Sequence, residues 1–226
     1  MGDHGGEGFR LHRITAGDEL SGKAGKRERR KAGTRERVSV GTRVRKRYEL
    51  ADRKEGGLEM ATRVKNGRSA NPLIAMLLEI TDQAFNHKSW HGTTLRGSLR
   101  GLTVEEALWR PGPDRHNIWE LTLHAAYWKY AVRRRLAGEA VGSFERKPSN
   151  WPEIPDPPDA NAWKRDVAFL ESEHRKLRDV IEALRPADLD LRSPRGVWTY
   201  AEEIHGIAAH DLYHTGQIQL IKRLMP

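Results

Sequence analysis

Four stretches of this chain repeat apolar residues at steps of three and four, and no run of alternating apolar and polar residues suggests a strand. That period is the spacing of one buried face of an α-helix, so the chain is restricted to packing helix on helix. The first stretch, expected over residues 71–96, opens on Asn71-Pro72, where Asn caps and Pro is tolerated because its missing N–H has no partner to lose. Its stripe reads Leu73, Leu77, Ile80, Ala84, His87, His91 and Leu95. The second starts at Asn117, has Glu120 three residues on and stops at Gly138, with Leu121, His124, Trp128, Ala131 and Val132 inward. The third, over residues 160–184, carries Trp163, Val167, Leu170, His174, Leu177 and Ile181 on one face. A capping box of Thr199 and Glu202 launches the fourth, which continues to Leu224. A smaller box of Thr103 and Glu106 opens a short helix before Pro111-Gly112-Pro113 breaks the chain. Residues 147–159 hold five prolines and form a stiff crossover, whose Trp151 and Ile154 are too apolar for a solvated linker. The expected fold is an all-α four-helix bundle, a class that builds metal and cofactor sites from side chains facing its interior.

Charge divides the chain in two. Residues 1–70 hold 19 Lys+Arg against 10 Asp+Glu, residues 71–226 hold 21 of each, and all seven Trp lie in the second part. A basic segment so poor in aromatics buries too little apolar surface to offset its ordering entropy, so residues 1–70 are expected to be a disordered tail and residues 71–226 the folded domain. Met60 offers an alternative start just before that domain. The clusters at residues 23–31 and 43–47 would bind nucleic acid by displacing counterions, and only through this tail is nucleic acid an expected partner. Cysteine is absent, which excludes disulfides, thiolate metal sites and a Cys nucleophile, and leaves His, Asp and Glu to hold any metal. No run approaches roughly 18 apolar residues and no secretory pattern opens the chain, so a cytoplasmic protein is expected.

The histidines carry the chemistry. His210 and His214 stand one turn apart on the inner stripe of the fourth helix, between Ile207 and Ile218, so both imidazoles reach one ion. Two buried imidazoles this close are costly without a shared partner. His124, on the inner stripe of the second helix, supplies a third nitrogen, and three neutral imidazoles with an open fourth position describe a catalytic divalent-metal site. Asp211 stands where a zinc protease would need Glu, and only twelve residues follow His214, which argues against that class. Gln217 is a candidate to orient a ligand histidine from outside.

The closing Tyr213-His214-Thr215-Gly216-Gln217-Ile218 with His210 before it, and Ile118-Trp119-Glu120-Leu121 with His124, resemble the DinB/YfiT-like superfamily over residues 71–226. Trp90-His91-Gly92 resembles one of its subgroups. The resemblance implies an up-down-down-up bundle, a metal held by three histidines at His124, His210 and His214, and frequent homodimers. It also implies reactions of the kind run by bacillithiol- and mycothiol-dependent transferases, with a divalent metal (Zn, Ni, Fe or Mn) and a low-molecular-weight thiol as cofactors. The expected activity is therefore an S-transferase or hydrolase acting on a small molecule, with a non-catalytic metal-binding bundle as the second reading. His91 is the expected catalytic proton shuttle, and Trp151 the expected cofactor- and substrate-binding residue, in a pocket between the first helix and the crossover.

Overall fold

The computed structural model describes residues 71–139, 142–193 and 196–226; the expected tail, the alternative start and the basic clusters lie outside these residues. Six α-helices occur among them: α1 (Pro72–Phe85), α2 (Leu95–Ser98), α3 (Val104–Leu108), α4 (Ile118–Leu136), α5 (Ala160–Glu182) and α6 (Tyr200–Leu224). No strand is present in the described residues, only a single bridge between Arg192 and Thr199.

The caps form as the sequence predicts. Asn71 Oδ1 accepts from the amides of Leu73 and Ile74 at the start of α1, and reciprocal capping boxes open α3, α4 and α6. Gly138, at φ +74°, takes the left-handed conformation that ends α4 at no steric cost.

The four long helices form a bundle whose directions can be read from pairs of residues. Trp119 meets Trp163 and Asp166, while Arg133 meets Glu173, so α4 and α5 run parallel. His124 and Arg135 meet His210 and Glu203 in reverse order, making α6 antiparallel to α4. Phe85 and Asp82 meet His174 and Arg178 in reverse order, making α1 antiparallel to α5. The topology is up-down-down-up, and the two parallel neighbours, α4 and α5, are joined by the Pro-rich crossover.

Two apolar clusters fill the interior. One gathers Phe85, Leu99, Trp119, Leu123, Trp163, Leu170 and Ile218; the other gathers Ile74, Leu78, Val132, Leu177, Ile181, Ile204 and Ile207. Between them each long helix contributes buried polar groups at one level: Thr81 and Asp82 from α1, Lys129 from α4, Glu173 and His174 from α5, Asp211 and His214 from α6. The layer is paired internally. Lys129 Nζ donates to Asp211 Oδ2 at 2.5 Å with both side chains fully buried, and His174 and Arg178 bond Asp82 at 3.2 and 2.7 Å.

The first helix departs from expectation. It ends at Phe85, and residues 86–94 turn instead, with Ser89 Oγ donating to the Gly92 carbonyl at 3.1 Å. Leu77 and Ala84 of the expected stripe are buried, but Ile74, Leu78, Thr81 and Phe85 lie inside with them, while Leu73 and Ile80 are 51% and 39% exposed. Histidine is a poor witness of burial, and two of the residues on the expected stripe, His87 and His91, are exposed.

Candidate metal centre

Each of the three histidines reaches the interior for a local reason. Asn117 starts α4 in a register that turns His124 inward with Leu121 and Leu123 as buried neighbours. Thr199 starts α6 so that Ile207, His214 and Ile218 fall on its inner face, with His210 half-buried at the edge of that face. The result brings one nitrogen of His124, His210 and His214 within 4.8 Å of one another. Nε2 of His210 lies 3.3 Å from Nε2 of His124 and 3.0 Å from Nε2 of His214.

The outer nitrogens fix the tautomers of two rings. His124 Nδ1 lies 2.8 Å from the Asn150 carbonyl, which can only accept, so Nδ1 carries the proton and Nε2 presents a lone pair. His214 Nδ1 likewise donates to Gln217 Oε1 at 2.6 Å, and Gln217 Nε2 donates onward to the Tyr213 hydroxyl at 3.1 Å. His210 has a single ring proton to set against two facing lone pairs, and its own Nδ1 is buried without a partner. A tetrahedral ion with metal–nitrogen bonds of roughly 2.0–2.1 Å separates its ligands by about 3.3 Å, close to the two spacings that His210 makes here. The donor set fits a divalent cation.

Electrostatics keep the rings neutral. Burial lowers His124 to about 4 against the pull of the Asn150 carbonyl. Burial, reinforced by the neighbouring His214, His124 and Lys129, lowers His210 to about 3. His214 is lowered too, chiefly by burial. All three are free-base imidazoles at neutral pH, the form that ligates metal.

The crossover closes one side. Trp151 stacks on the His124 ring at 3.8 Å between centroids and on His116 at 3.6 Å, so three rings lie in one pile. Phe144 is buried against Tyr127, Tyr130 and Phe169, and Arg146 pairs with Asp166, which also accepts from Trp119. These anchors hold Asn150 and Trp151 against α4.

A family model described as the DinB superfamily matches residues 88–218, more than half of the chain. The chain belongs to the DinB superfamily. That match spans α2 to α6 and takes in all three clustered histidines. No curated protein and no solved structure matches the chain.

Within this DinB fold the remaining sequence expectations sort clearly. His124, His210 and His214 come together; Gln217 orients His214. His91 does not join them. It sits in the turn after α1, exposed, beside Ser89 at 3.4 Å, so the helical position on which its proton-shuttle role rested does not exist. His87 is exposed for the same reason. Trp151 and Ile154 are partly buried against the core. A cavity that reaches the centre at His210 lies between α4, α6 and residues 196–198. Gly216 of the closing motif serves no close packing, since a Cβ added there meets no atom within 4 Å. Sequence reasoning missed Asn150, which acts through its backbone and leaves no side-chain signal. It also missed Lys129, although this residue sits on the inner stripe between Ala126 and Val132, where an unexplained cation was visible. Among the described residues no helix is long and apolar enough to cross a membrane.

Proposed function

We propose that His124, His210 and His214 hold one divalent cation, zinc, nickel, iron or manganese, through their Nε2 atoms, and that the protein is a metal-dependent S-transferase or hydrolase. The observation that carries this reading is the pair of outer hydrogen bonds, from His124 to Asn150 and from His214 to Gln217, which aim two bare lone pairs at His210. A divalent ion with three imidazoles and an open position brings the pKa of a bound thiol or water into the neutral range. The chain's own residues supply the rest. Asn150 and Gln217 fix the ring orientations, the lowered basicity keeps protons from competing for the ligand nitrogens, and Trp151 shields His124 from water. In the S-transferase reading a low-molecular-weight thiolate attacks carbon, the S–C bond forms as the leaving group departs, and the thiol proton goes to solvent. A homodimer through the exposed apolar residues Leu73, Met76 and Ile80 of α1 and Leu212 and Leu220 of α6 belongs to the same proposal.

Elemental analysis of the purified full chain tests it. One equivalent of divalent metal is expected, with His210→Ala and His214→Ala each losing it while helicity is retained. Metal retained by both variants as by the parent refutes the site. On the same samples, transfer of small thiols onto an aryl halide tests the activity, and metal without turnover leaves a non-catalytic binding bundle. Light scattering at twice the chain mass is expected for the dimer.

A further inference from the structure

The cavity at His210 has a volume of about 640 Å³, inside the range of roughly 300–1,000 Å³ typical of small-molecule sites. Its apolar walls are Trp128 and Val132 of α4, Ile207 of α6, and Val197 and Trp198 of the segment leading into α6. Val197 and Trp198 are 71% and 60% exposed, a large apolar surface to leave in water beside a candidate reaction centre.

The charged groups of these walls are already engaged. Arg135 donates to Glu203 at 3.1 Å and lies over the Trp128 ring. Glu202 accepts from the Thr199 amide and hydroxyl at 2.6 and 2.8 Å as part of the α6 cap. What remains for a ligand is mostly indole and aliphatic surface, with the His205 imidazole on the α6 wall and the histidine cluster at one end.

Gly206 is the telling residue. It sits within α6, one turn before His210, where glycine is the poorest helix former except proline. No close packing requires it, because a Cβ there meets no atom within 4 Å, and Gly206 is one of the residues that line this cavity. We infer that the groove between α4 and α6 receives an uncharged aromatic portion of the substrate, presented to the metal centre at His210, and that Gly206 sets the room available to it. The inference deepens the metal-enzyme reading and rests on it for the identity of the groove's inner end.

The test titrates the full chain, with and without added zinc, using N-phenylnaphthylamine, an uncharged fluorophore, and its sulfonated analogue. Saturable binding of the uncharged probe is expected, at least ten-fold tighter than the sulfonate. Gly206→Leu should weaken it at least ten-fold with no fall in melting temperature, since leucine favours the helix more than glycine does. Gly216→Leu, in the same helix with open space at its Cβ but outside the groove, should bind as the parent does. Absence of saturable binding, or binding indifferent to Gly206→Leu, overturns the assignment, and equal affinity for the sulfonate overturns the charge preference. Metal analysis of the same samples separates the two readings: probe binding without retained metal upholds the groove and removes the metal centre.

Discussion

His124 is held from two parts of the chain at once: its own helix, and the crossover, through the Asn150 carbonyl and the Trp151 ring stacked on its face. The stack restricts ring rotation and shields one face, so its energetic effect falls on the ligand rather than on the bundle. Residues of this outer kind are worth roughly 10–100-fold in metal affinity. Trp151→Ala should therefore weaken metal binding by about ten-fold in a chelator competition, with only a few degrees lost in melting temperature because Trp151 is half-buried. Affinity equal to that of the parent would assign Trp151 to packing alone.

At the scale of the helices, the pair that joins α4 to α6 is ionic. Burial raises the Asp211 carboxyl pKa against the pull of Lys129, and Oδ1 of Asp211 has no partner. A buried pair of this sort is a weak source of net stability, yet removing one member strands the other charge. Lys129→Met should lower unfolding stability in urea by about 3–5 kcal/mol, and adding Asp211→Leu should restore most of the loss. A double variant as unstable as the single one would contradict this account. The same helices show what the sequence made legible. Caps are written in side chains three residues apart, so Asn117, Thr103 and Thr199 announced α4, α3 and α6 correctly. The His210–His214 spacing and the stripe of α5 were equally plain, because Trp163, Val167, Leu170, Leu177 and Ile181 are all large and apolar. The end of α1 was not, since Asn86, His87, Lys88 and Ser89 fit a helix surface or a turn, and only tertiary packing decides. Asn150 was invisible for a different reason: a carbonyl belongs to every residue.

Across the whole molecule, proton uptake sets the response to acid. His124 and His174 titrate near 4 and His210 near 3, all lowered first by burial, against an ordinary 6.5 once unfolded. The unfolded chain thus binds more protons than the folded one between about pH 6.5 and 4, so stability declines as pH falls through that window, by up to about 1.4 kcal/mol per pH unit for each such histidine. Asp82 acts in the same direction at lower pH: burial raises it, but the hydrogen bonds from His174 and Arg178 prevail and hold it below the usual carboxylate range. Melting temperatures of the chelator-treated protein should drop steadily from pH 7 to pH 5, and a flat profile would contradict the burial of these rings. The polar layer in which several of these groups lie also separates the Trp119 end of the bundle from the Ile207 end. Distant substitutions add independently when they share no partners. Apolar exchanges at one end should therefore leave the other end undisturbed, whereas a change within the stratum between them is felt by all four long helices.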